Sequence, residues 1–111
     1  MHPHDSELSG SSQSMSDVAE ILTTMLRKTR VYSDCAQHGD NFPAYRDAMR
    51  AGAAALATYC TTEHLQEDQL TPLTFCIALI HYGILLLETG QRQAGMEVIM
   101  VHATNALREL S

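Results

Sequence analysis

Two residue pairs in this chain have the spacing of metal ligands: Cys35 with His38, and Cys60 with His64. At three and four residues apart on a helix, a thiolate and an imidazole share one face, the arrangement a tetrahedral zinc site draws on. Placed on helices, however, the two pairs fall at opposite ends of the second helix, ~30 Å apart. One copy cannot bring them together, so no metal and no cofactor is expected. His2 and His4 flank Pro3 in a polar lead-in and suit adventitious metal only. His81 lies mid-helix among hydrophobic residues and reads as an exposed or hydrogen-bonded histidine, with a pH-sensitive spot in an interface as the sharper alternative. No nucleophile has a base at readable spacing, and there is no glycine-rich phosphate loop or HExxH pair. No catalytic residue is expected, and the chain reads as a non-enzyme.

Composition narrows the remaining classes. The chain has 111 residues, one domain by length. Its 13 carboxylates outweigh 7 basic residues, for a net charge of −6. That balance argues against nucleic-acid binding, which needs a positive footprint. Arg27, Lys28 and Arg30 form a small basic cluster and read as a solvated helix face. Three cysteines with no Cys-x-x-Cys pair fit reduced thiols and a cytoplasmic setting. The start "MHPHDSELSGSSQS" lacks the basic head and apolar stretch of a leader, so residues 1–15 are expected to be a disordered tail ahead of one helical domain, 16–111.

Periodicity predicts an all-α four-helix bundle with helices at about 17–38, 43–64, 72–88 and 91–110. Asp17 with Glu20 resembles a capping box. Val18, Ile21, Leu22, Met25, Leu26, Tyr32 and Ala36 then share one stripe. Pro43 suits the first turn of helix 2, whose face holds Tyr45, Met49, Gly52, Leu56, Tyr59 and Cys60. The small run "AGAAALA" lets neighbours approach that helix on two sides. Thr71 and Pro72 are expected to cap and open helix 3, and Gly90 to end it. Gly95, Met96, Ile99, Met100, Ala103, Ala106, Leu107 and Leu110 line helix 4. Gly83, Gly90 and Gly95 are spaced as in one helix pair of a tetratricopeptide repeat, but no second copy follows, so helices 3 and 4 read as a generic antiparallel hairpin.

Helix 3, "LTFCIALIHYGILLL", carries the largest implication. At about 15 residues and ~22 Å it is too short for a bilayer core of ~30 Å. Thr74, His81 and Glu88 line up on one narrow polar stripe, and nearly everything else is apolar. Three companion helices cannot enclose the whole cylinder. About five large side chains remain over, worth on the order of 10 kcal/mol before association costs. A dimer or a captured partner is therefore expected. Ile77, Ile80, Ile84 and Leu87, with Val98 and Val101 beside them, are the candidates for self-association. Tyr32, Phe42, Tyr45 and Met49, around the helix 1–helix 2 junction, are the candidates for partner binding, since aromatic and methionine anchors are enriched at interfaces.

The segments "RDAMRAGAAALATYC" and "FCIALIHYGILLLETGQRQAGMEVIMVHATNALREL", in that order in a small acidic helical chain, resemble the bacterial quorum-sensing anti-activators of the QslA type. The resemblance implies a cytoplasmic homodimer that binds the ligand-binding domain of a LuxR-type transcription activator such as LasR. It further implies that the inhibitor covers the activator's dimerisation surface, so that the activator loses its DNA half-sites. The alternatives are a small dimeric secretion or assembly chaperone, and a small-molecule-binding bundle with helix 3 lining an apolar pocket.

Overall fold

The structure is a computed structural model that describes residues 3–35, 41–61 and 67–110, with side chains at 16–35, 41–59 and 72–110. Four helices account for them: α1 (Pro3–Cys35), α2 (Phe42–Thr61), α3 (Glu67–Glu88) and α4 (Arg92–Leu110). Each helix packs on two others, in the cyclic order α1–α2–α3–α4–α1. The result is an all-α four-helix bundle measuring 52 × 27 × 20 Å.

The core follows the expected stripes. Val18, Leu22, Met25, Leu26 and Tyr32 of α1 are buried, at helical spacing. They meet Phe42, Tyr45, Met49, Ala53 and Leu56 of α2 and Met96, Ile99, Ala103 and Ala106 of α4. Met25, Met49 and Met96 are buried and Met100 packs on the core from its edge, the gap-filling use of a flexible side chain.

All four helix starts differ from expectation, that of α4 only by one residue, Arg92 in place of 91. Helix α1 runs back to Pro3, so residues 3–16 are helical here rather than an irregular lead-in. Between Pro3, itself suited to a first turn, and Asp17 the only strong helix breaker is Gly10. Asp17 is consequently no cap: its carboxylate accepts a 2.8 Å hydrogen bond from the Tyr59 hydroxyl and so ties α1 to α2. Helix α3 starts at Glu67, ahead of the expected cap Thr71, and Pro72 lies inside it. Within the helix Pro72 forgoes one backbone hydrogen bond, having no N–H. Helix α2 starts at Phe42, one residue before Pro43, and its expected end at 64 lies outside the described residues.

The α3–α4 hairpin is held by glycines. Gly90 adopts φ 89°, and Gln91 N–H donates to Leu86 C=O (2.9 Å) while Gly90 N–H donates to Leu87 C=O (3.3 Å). This double bond pattern is the Schellman cap, which a residue with a Cβ would strain. Further along, Gly83 and Gly95 lie against each other: a Cβ on Gly95 would stand 2.7 Å from the Gly83 carbonyl oxygen. The two backbones touch, which no pair of larger residues would allow.

Candidate interaction surfaces

Around α3 the bundle buries one arc and leaves another bare. Stepping about 100° per residue, Gly83, Cys76, Leu87, Ile80, Leu73, Ile84 and Ile77 follow one another over an arc of about 120° and are all buried. Ile77, Ile80, Ile84 and Leu87, expected to mediate self-association, therefore belong to the chain's own core, with exposures of 5% or less. The correction has a simple cause. A helix that is apolar nearly all round carries no signal for which side its companions take, and α2 and α4 take this one. Thr74, His81 and Glu88 are exposed together, as their shared stripe requires. Glu88 accepts hydrogen bonds from Arg50 Nε (2.7 Å) and Nη2, which fastens the end of α3 to α2.

The surplus apolar surface lies on the other side of that polar stripe. Phe75 is 67% exposed, Tyr82 51% and Leu85 54%, and Ala78 is exposed between them. Their spacing of three, four and three residues is a heptad seam. No formally charged residue occurs between Asp68 and Glu88, so the seam and its borders are uncharged at neutral pH apart from any charge on His81. Val101, on the adjoining α4, is 53% exposed, and Val98 is half-buried where it meets Gly83. Of the expected self-association residues, only these two α4 valines retain accessible surface.

The expected partner residues are also buried, at 8% exposure or less. They build an aromatic knot at the α1–α2 junction. Tyr32 and Tyr45 stack with ring centroids 4.8 Å apart, and Phe42 leans on Tyr32 at 6.1 Å. The Arg92 guanidinium lies 4.0 Å over the Phe42 ring and donates to the Tyr32 hydroxyl at 3.4 Å, bringing α4 into the knot. The Thr29 hydroxyl, fully buried, donates to Met25 C=O and shares a 2.8 Å hydrogen bond with the Tyr45 hydroxyl. Burial pushes the Tyr45 phenol up to about 12, only partly offset by the Thr29 hydrogen bond. Met49 is completely enclosed. Phe42 and Met49 are thus core residues, whereas Tyr32 and Tyr45 form the floor of an open groove of about 300 Å³ between α1 and α2.

That groove has more to it than its aromatic floor. Exposed Val31 (56%) stands on its wall, with Arg27 and Lys28 on the rim. A second groove of about 520 Å³ adjoins it, sharing Lys28 and Ala48. There the wall on α2 is the small row Ala48, Ala51, Gly52 and Ala55, facing Ile21 and Met25, with Asp17 and Glu20 at the far end. The small run read from the sequence thus leaves space along α1. Neither groove includes a residue of α3, so the apolar pocket imagined there is not where these grooves lie.

Compared against known families, curated proteins and solved structures, the chain matches none. Its surfaces must therefore be read on their own chemistry. Among the described residues no group of three His, Cys, Asp or Glu side chains is placed to hold a metal. Cys35 is an exposed free thiol, while His38, His64 and His2 and the side chains of Cys60 and His4 lie outside the described part. Burial, with Glu109 nearby adding negative potential, raises the pKa of the Cys76 thiol, which disfavours the reactive thiolate. The Tyr59 phenol is raised too, chiefly by its hydrogen bond to Asp17. Among the described residues no helix is long and apolar enough to cross a membrane. Neither Val31 nor the exposed α3 seam is among the residues expected from the sequence to form a surface. The heptad spacing of Phe75, Ala78, Tyr82 and Leu85 was the signal that could have found the seam.

Proposed function

We propose that this chain is a non-enzymatic regulatory protein that binds the ligand-binding domain of a LuxR-type quorum-sensing activator, such as LasR. In this reading it covers the surface through which activator subunits pair. The observation that supports a binding role most directly is the open α1–α2 groove. It has an aromatic and aliphatic floor, a row of small side chains that admits a partner helix closely, and charged residues only along its edges. The choice of partner rests on the resemblance of the helix 2 and helix 3–4 segments to the anti-activators.

The mechanism needs no contact with DNA. A dimeric activator grips two half-sites because its recognition modules are held together. An inhibitor occupying the pairing surface leaves single modules with too little affinity for either half-site. The net charge of −6 keeps the inhibitor itself off the phosphate backbone. A cytoplasmic setting belongs to the same proposal, since the activator works on DNA.

The test is DNA release. Titrating the chain into a LasR-like activator bound to a fluorescent two-half-site duplex should lower the anisotropy to that of free DNA. Ala51→Trp, which fills the groove from an exposed position, should raise the concentration required at least tenfold. A duplex that stays bound at saturating inhibitor contradicts the proposal.

A further inference from the structure

We infer that the α1–α2 groove is a slot for one amphipathic helix with a set order of charges: a basic residue near one end, then acidic residues two turns further in. The identity of the partner rests on the function proposed above; the walls and charges of the groove say which kind of segment it presents. Both walls are in heptad register. On α1 the lining residues Ile21, Thr24, Lys28, Val31 and Cys35 recur at intervals of three, four, three and four. On α2 the lining residues Ala44, Ala48, Ala51 and Ala55 recur at four, three and four. That alternation is the seam along which helices pack. Two helices that turn such seams toward one opening leave the place of a third.

Size and backbone chemistry favour a helix as the occupant. The adjoining grooves follow α1 from Asp17 to Cys35, about 27 Å, or five turns of a docked helix. A compact small molecule would fill only part of that length. An extended strand needs free N–H and C=O groups along an edge, and over this stretch the backbones of α1 and α2 are paired within each helix. The alanine row presents nothing longer than a methyl, so a docked backbone can come close. At the Cys35 end the stacked Tyr32 and Tyr45 rings, with Val31 beside them, take a larger apolar side chain.

Charge sets the order. Asp17 and Glu20 stand at one end of the groove, and Arg27 and Lys28 stand on its rim, about 11 Å further along α1 than Glu20. Among the described residues Glu20, Arg27 and Lys28 have no ion-pair partner, so their charges remain for a docked chain. A helix with a basic residue level with Glu20 and acidic residues level with Arg27 and Lys28 matches all three. A helix of uniform sign is opposed at one end, and the net charge of −6 further disfavours an acidic one.

Fluorescence anisotropy of labelled, end-blocked peptides of about 18 residues tests the slot. Each has leucines at alternating three- and four-residue spacing on an alanine and glutamine background. One carries a lysine near one end and two glutamates two turns on; the others carry lysine, or glutamate, at all three places. The mixed peptide should bind the full chain roughly five- to tenfold more tightly than either single-sign peptide, as three exposed ion pairs allow. Arg27→Glu with Lys28→Glu should transfer the preference to the lysine peptide. Ala51→Trp should weaken the mixed peptide by about tenfold or more, since an indole then fills the groove. Should the double variant lose helicity, Lys28→Glu alone makes the same test. A mixed peptide that binds no better than its scrambled counterpart overturns the inference, as does a charge order without effect or an Ala51→Trp chain that binds like wild type. Self-association of the wild type that Ala51→Trp abolishes would give the groove to a second copy, and overturns it too. Peptides bound as expected by a chain that leaves the activator on DNA would sink the regulatory reading alone. Release of DNA by the double variant and by Ala51→Trp as readily as by wild type would sink the slot alone.

Discussion

Thr29 and Tyr45 show how much a single buried hydroxyl pair is worth in this core. Thr29 is fully enclosed and shares its hydroxyl between Met25 C=O and the Tyr45 phenol. Thr29→Val keeps the volume but leaves a buried phenol unpaired, and should cost about 1–3 kcal/mol in urea denaturation. Adding Tyr45→Phe removes the other partner, so the double variant should lie closer to wild type than the sum of the two singles. The same phenol makes stability depend on alkaline pH. Its pKa is raised to about 12 from an ordinary value of 10, so the folded state holds the proton that the unfolded state releases first. Its contribution is complete below pH 10 and is lost as the pH climbs from 10 towards 12, by about 2–3 kcal/mol. Tyr59, raised by its bond to Asp17, adds a loss of the same sign. Tyr45→Phe should flatten the fall in denaturation midpoint over that interval; an unchanged slope would show that the phenol titrates normally.

Elements in this fold are set by capping and close approach as much as by apolar stripes. The α3–α4 contact depends on bare backbone at Gly83 and Gly95. Gly95→Ala would push a methyl to 2.7 Å from both the Gly83 carbonyl oxygen and Leu87 Cδ2. A backbone oxygen cannot yield, so the variant should lose about 2–3 kcal/mol despite alanine's better helix propensity. Gly83→Ala meets Ile99 Cγ1 at 2.8 Å but the Gly95 carbonyl oxygen only at 3.1 Å, a longer backbone contact, and should lose less. Thermal melts should rank the two in that order, and the reverse order would mean the helices do not cross there. Four helices, their apolar faces on α1, α2 and α4, and the Gly90 cap were all legible in the sequence, because a repeat of 3.6 residues and a glycine after a helix are strong local signals. Which side of α3 is buried was not. Ile77, Ile80, Ile84 and Leu87 look no different in sequence from Phe75, Ala78, Tyr82 and Leu85; only the positions of α2 and α4 separate core from surface. The α1–α2 junction misled for a related reason, since Tyr32, Phe42 and Tyr45 are residues that interfaces and cores favour alike.

At the scale of the whole molecule, α3 leaves apolar surface uncovered by its companions, but three large side chains rather than about five, and not on the face of Ile77, Ile80, Ile84 and Leu87. The bundle encloses one arc of α3 and presents Phe75, Ala78, Tyr82 and Leu85 to solvent. The groove proposed for the activator, with Val31, Tyr32 and Tyr45, lies between α1 and α2, away from these α3 residues. The most direct test of the account is the light-scattering mass of a purified LuxR-type ligand-binding domain mixed with this chain. The activator domain should leave its own dimer for a mixed complex with wild type and with Tyr82→Glu, but not with Ala51→Trp. An activator dimer whose mass the wild-type chain leaves unchanged would contradict it.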